Sequence, residues 1–153
     1  MLDILSQLAE IPYRYANTVP YALPFIWMGA ILGHSFVAIP AKFKVPTLTR
    51  PVAMEVGFAT FSAFFILELI FLAGITATMV ISDVGWYLWL GFSVVTVALF
   101  LQRYYLRPII FNRVADDDHN RPLPSRWHYR FYSVLEIVKL MALIGLGSLL
   151  IRY

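Results

Sequence analysis

The residues able to do chemistry are few: His34, Glu55, Glu68 and the series His128, Tyr132, Glu136 and Lys139. In that series the steps of four, four and three residues put every member on one face of a helix. Most of them sit within apolar stretches, where an ionisable group costs several kcal/mol unless it is paired. Each is therefore a candidate functional residue. Glu136 and Lys139 are close enough along the helix to pair, and Glu68 lies near the middle of its own apolar run. If the two helices run in the same direction, Glu68 reaches the depth of Lys139. The expected arrangement is a buried Glu68–Lys139–Glu136 cluster with Tyr132 beside it. Two carboxylates around one ammonium leave a negative charge unmatched, which a proton on either carboxyl would balance. Such a cluster serves as a clasp fixing helix register, as a proton or ion relay, or as a contact with a partner subunit.

The two histidines suggest a second chemistry. His34 lies within two turns of the end of the first apolar run and His128 in the first turn of the last, with Glu55 on the same side. A pair of histidines on facing helices is the minimum for bis-histidine haem b ligation, and neutral imidazole suits iron, copper or zinc. A hydrogen bond to a neighbouring helix is the plainer role for each. Asp116, Asp117, Asp118 and His119 read as solvated loop charge offsetting nearby arginines, although oxygen ligands of this kind also suit a divalent cation. No metal site is assigned. The sequence contains no P-loop, no GxSxG elbow, no HExxH and no dinucleotide fingerprint, so no catalytic residue is assigned either. With no cysteine, disulfides and thiolate chemistry are excluded.

Helices must place these residues, and lipid must surround the helices. Of 153 residues 60% are hydrophobic and only 14% charged, more apolar surface than so small a soluble fold can bury. Four stretches reach the length of about 20 residues that crosses a bilayer. They run from about Tyr21 to Pro40, Pro51 to Ile81, Gly85 to Tyr105 and Ser125 to Ile151. Pro51 and Pro124 suit helix starts, and Pro108 is expected to close the third helix. That leaves a soluble loop from about Leu106 to Pro124. The fold class is an all-α, integral membrane four-helix bundle, up-down-up-down, forming one domain.

Charge sets its orientation. Lys42, Lys44, Arg50, Arg103, Arg107, Arg113, Arg121, Arg126 and Arg130 gather on one side, against Arg14 and Arg152 on the other. Basic loops face the cytoplasm, so both termini are expected outside it, in an inner bacterial membrane. In this setting the net charge of +3 marks topology rather than nucleic-acid binding. Trp86, Tyr87 and Trp89 would form one aromatic belt, and Tyr104, Tyr105, Trp127 and Tyr129 the other. Leu2, Leu5, Leu8 and Ile11 recur at helical spacing, as in a short amphipathic helix on the membrane surface or against a partner subunit. Gly29 and Gly33 make a GxxxG pair suited to close helix contact, with a second copy or with a sister helix, and Gly145 and Gly147 read alike. Phe58, Phe61, Phe64, Phe65 and Phe71 load the second helix with rings for packing against neighbours or lipid.

The segment Ser35-Phe36-Val37-Ala38-Ile39-Pro40-Ala41-Lys42-Phe43, the second helix through Gly57 and Phe61, the Leu106-Arg107-Pro108 turn and the span from His128 to Lys139 carry a resemblance. In these features the chain resembles a group of four-helix membrane proteins related to the copper-resistance D proteins. The resemblance implies the four-span frame. The wider group includes a haem-containing protoporphyrinogen oxidase, which implies a ligand role for His34, but that enzyme's opening segment with an early histidine is missing here. The expected function is a non-catalytic accessory subunit docking on a larger membrane complex, with lipid and other membrane subunits as partners. A haem-binding redox or porphyrin-handling protein is the alternative. A small proton-coupled transporter comes third, and the lack of an inverted repeat counts against it.

Overall fold

A computed structural model describes residues 21–115 and 125–152. The amphipathic opening segment, the Asp116–His119 run and Arg121 lie outside the described residues. Within them the chain has helices and turns but no strand, and four helices are long and apolar enough to cross a membrane. Helix α1 spans Tyr21–Lys42 and α2 spans Arg50–Ile81. Helix α3 opens as Trp86–Phe100, widens over Leu101–Leu106 and continues through Arg107–Ala115. Helix α4 spans Arg126–Leu150.

Cross-helix contacts fix the up-down-up-down order. The Tyr21 hydroxyl meets the Ser82 hydroxyl at 3.2 Å, Trp27 stacks on Phe71 and His34 on Phe64, so α1 and α2 are antiparallel. Tyr132 packs on Phe61, and Lys139 pairs with Glu68, so α2 and α4 run in parallel. Lys42, Lys44 and Arg126 thus share one end of the bundle, the basic end. The α2–α3 turn marks the opposite end. At 32 residues α2 extends about 48 Å, well beyond the roughly 30 Å hydrocarbon core.

That turn is closed by local chemistry. Asp83 takes a left-handed conformation (φ 46°), Val84 N–H donates to Met79 C=O, and Asp83 N–H donates to Val80 C=O. This is a Schellman closure, and its hydrophobic pair, Met79 and Val84, enters the core. At the start of α4 the Ser125 hydroxyl caps the helix by accepting from Trp127 N–H at 3.2 Å.

The expectation that Pro108 ends α3 is overturned, and the reason also explains Pro40. A proline inside a helix lacks a donor, and its ring collides with the carbonyl four residues back. Here each proline follows a wide turn whose bonds reach five residues back: Ile39 N–H to His34 C=O, and Arg107 N–H to Gln102 C=O. The widened backbone re-registers the carbonyls, so each proline falls at the start of a fresh helical segment, where no donor is needed. The helix runs on to Ala115, and the loop expected from Leu106 is shorter by that extension.

Two packed clusters fill the interior. Toward the turn end, Trp27, Ile31, Ile75, Met79, Leu88, Val95, Leu99, Leu143, Leu146 and Leu150 bring all four helices together. Toward the basic end, Ala98, Leu106, Ile110, Phe111 and Leu135 pack with Phe58, Phe61, Phe131 and Tyr132. No residue of α1 joins this second cluster. From Leu32 to Lys42 no residue of α1 is fully buried, whereas Trp27 and Ile31 just before are. The bundle is closed at one end and parted at the other.

Candidate functional site

Between the closed and parted halves lies the charged cluster. Lys139 Nζ sits 2.7 Å from Glu68 Oε1 and 3.4 Å from Glu136 Oε2. The parallel course of α2 and α4 supplies the first contact, and the three-residue step along α4 the second. All three side chains are buried, Lys139 completely. An ammonium so placed persists only with its counter-charges beside it.

Two uncharged groups, an indole and an amide, add hydrogen bonds to the cluster. The Trp27 indole donates to Glu68 Oε1 at 3.3 Å. The Gln102 amide nitrogen donates to Glu136 Oε1 at 3.2 Å and to the Tyr132 carbonyl at 3.3 Å. Every helix therefore contributes at least one member: Trp27 from α1, Glu68 from α2, Gln102 from α3, and Glu136 with Lys139 from α4. Sequence reasoning missed Trp27 and Gln102. A signal existed for both, since a tryptophan at mid-span instead of at the interface, and a buried amide, each need a polar partner.

Satisfaction is incomplete. Glu136 Oε2 and Gln102 Oε1 accept no hydrogen bond among the described residues, and neither do the buried polar atoms of His34 (Nε2), Ser35 (Oγ) and His128 (Nδ1) find partners. Unpaired polar atoms are expensive in lipid, so those of Glu136 and Ser35 are a mark of binding space.

That space is present. A half-open cavity of about 540 Å³ lies where α1 parts from the bundle, within the size range of small-molecule sites. Its walls are mainly apolar, with Phe36 and Ile39 of α1, Phe61 of α2, Ile110 and Phe111 of α3, and Tyr132 of α4. Glu136 and Ser35 bring polar atoms to the wall, and Lys42 stands toward the basic end with its ammonium against Gly57 of α2. Beside the cavity, Arg107 donates to the Ser62 hydroxyl and lies over the Phe58 ring at 4.4 Å, while Arg103 lies over Phe65 at 4.8 Å. Much of the aromatic load of α2 thus meets cations or rings from neighbouring helices.

The structure brings Glu68, Glu136 and Lys139 into direct contact. Tyr132 joins them through its main-chain carbonyl, which accepts from Gln102, and through its hydroxyl beside the Glu136 carboxylate, and it lines the cavity. His34 is stacked on Phe64 at 4.3 Å and edge-on to Phe61 at 5.0 Å. Neither His34 nor His128 lines the cavity wall, and no hydrogen bond or ring contact joins the two among the described residues. Their fit to a haem rests on donor chemistry alone. Glu55 is exposed, and no group of three metal-ligating side chains occurs among the described residues. Gly29 and Gly33 face open space, as does Gly145, while Gly147 backs onto the Phe25 ring of α1. The two glycine pairs therefore play different parts. No protein-family profile, no curated protein and no solved structure matches the chain.

Proposed function

We propose that this chain is a non-catalytic integral membrane protein that binds a small ligand from one side of the bilayer, with its basic end in the cytoplasm. One observation carries the reading: the charged cluster is reached by a cavity at the basic end and backed by a dry, four-helix core toward the other end. A path for transport needs access from both faces, whereas a binding site needs it from one. The basic loops favour a cytoplasmic face for the cavity, and the four-span frame is in keeping with kinship to the copper-resistance D group.

The natural absence of cysteine makes the test direct. Single cysteines at Lys44, Asp83 and Ser35 would be exposed to a membrane-impermeant thiol reagent in sealed right-side-out and inverted vesicles. Ser35→Cys is expected to react with the same sidedness as Lys44→Cys, the cytoplasmic one, and opposite to Asp83→Cys. Reaction of Ser35→Cys from the Asp83 side, or from neither, refutes one-sided access.

Docking on a larger complex is a second reading, favoured by the outward GxxxG face. An added Cβ at Gly29 or Gly33 would meet nothing within 4 Å, so this close-approach surface is unused among the described residues. Migration as a lone chain in mild detergent counts against it.

A further inference from the structure

We propose that the cavity binds an amphipathic organic monocation, an amine carried on an apolar body, with its ammonium held at Glu136. The inference rests on the one-sided binding reading and names the ligand class. Glu136 is 2% exposed, lines the cavity, and has one oxygen, Oε2, without a hydrogen bond. The other oxygen is already used by Gln102. Oε2 faces the Lys139 ammonium at 3.4 Å, and that ammonium is engaged at 2.7 Å by Glu68, while the Tyr132 hydroxyl stands beside the same carboxylate as a further donor on the wall. With both carboxyls ionised, the cluster holds two negative charges against one positive. A ligand that donates hydrogen bonds and brings one positive charge satisfies the geometry and the charge together.

The rest of the wall selects the remainder of the ligand. Ser35 Oγ, also buried and unpartnered, is a second acceptor on the same cavity. Phe36, Phe61 and Phe111 offer ring surface suited to an aliphatic or aromatic body. The other cation on the wall, Lys42, has its ammonium against Gly57 and the Phe43 ring. An anionic amphiphile seated at Glu136 would meet that carboxylate, with the Lys139 beside it already engaged by Glu68. A neutral alcohol could donate one hydrogen bond but would leave the charge unmatched.

Decylamine, decanol and decanoate test this as matched probes. Each would be titrated against the intact chain in non-ionic detergent, with bound fractions read by native mass spectrometry. Decylamine is expected to bind roughly tenfold more tightly than decanol or better, the worth of one charge-assisted hydrogen bond, and decanoate least. Glu136→Gln is expected to abolish that preference while leaving decanol binding in place. Equal binding of decylamine and decanol overturns the cation assignment and leaves the one-sided pocket standing. Binding of none of the three overturns the pocket itself. Should Glu136→Gln fail to fold, a photoreactive diazirine derivative of decylamine on the unaltered chain supplies the second measurement. Labelling is expected on α4 around Tyr132 and on α3 around Ile110, and labelling confined to the lipid-facing surface overturns the proposal.

Discussion

The two halves of the bundle are built from similar residues and behave oppositely. Toward the α2–α3 turn, apolar side chains from all four helices interlock, and Trp27, Ile75, Met79, Val95 and Leu143 are wholly inaccessible. Toward the basic end the side chains are as apolar and more aromatic, yet α1 takes no part in the cluster and a cavity stands in its place. Hydrophobicity cannot explain the difference, since in lipid an apolar surface gains little by leaving its solvent. Close fit explains it. At Gly147 the absent side chain lets Phe25 seat against α4, drawing α1 inward at the turn end. Past Ile31 α1 keeps to α2, through His34 on Phe64 and Phe61 and Lys42 at Gly57, but no residue of it joins the basic-end cluster with α3 and α4. The charged cluster sits at the boundary, dry on one side and open on the other.

The sharpest way to break this contrast is to remove the cation that joins its two sides. Lys139→Met would leave Glu68 and Glu136 buried without their counter-charge, at a cost of about 3–5 kcal/mol. Reversible unfolding in mixed micelles should register a loss of that order, and a neutral result would show that the carboxyls need no ammonium. A smaller effect separates the halves directly. Leu143→Ala, at a fully buried position, should cost on the order of 2 kcal/mol through lost dispersion contacts and the void left behind. Phe36→Ala, on the cavity wall and 43% exposed, should change stability by under about 0.5 kcal/mol. Comparable losses from the two would mean that the basic end is as tightly packed as the other. The finest comparison is within α4. Gly147→Ala places a methyl 2.7 Å from the Phe25 ring, an overpacking worth about 1 kcal/mol. Gly145→Ala meets nothing and should be neutral or slightly stabilising by helix propensity. The same unfolding assay distinguishes them, and equal effects would remove Gly147 as the seat of α1.

What the sequence makes legible follows from what lipid makes expensive. The four spans are readable because a bilayer demands long apolar runs, and the Glu68–Glu136–Lys139 cluster because buried charge must be paired. The step from Glu136 to Lys139 alone places two of its members on one face. Trp27 and Gln102 carry no charge, so their burial raises no comparable alarm, and only the structure shows that they close the ring. The cavity is illegible for a different reason. It arises where α1, after Ile31, takes no part in the cluster with α3 and α4, a property of helix placement that no hydropathy pattern records. Pro108 misleads because a helix-ending residue in isolation becomes permissible once the preceding backbone widens. The glycines differ likewise: the sequence shows two similar pairs, and only the packing separates outward Gly29 and Gly33 from inward Gly147.

The wide turns ahead of Pro40 and Pro108 also bear on how this chain tolerates change. A turn held by bonds to the fifth residue back accommodates more chain per revolution than the helix on either side of it. Everything beyond it is rotated relative to an unbroken helix, including the Ile39, Pro40 and Lys42 edge of the cavity and the inward set of Leu106, Ile110 and Phe111. Because each wide turn takes up one residue more than an ordinary helical turn, trimming a single residue there would let it close as a regular turn and keep those groups near their present phase, but would set the proline inside a continuous helix. Trimming one from the regular helix on either side would instead swing the groups beyond it about the axis by roughly 100°, while leaving composition and hydropathy almost untouched. The two wide turns are the places where these helices can lose a residue and still present the same faces.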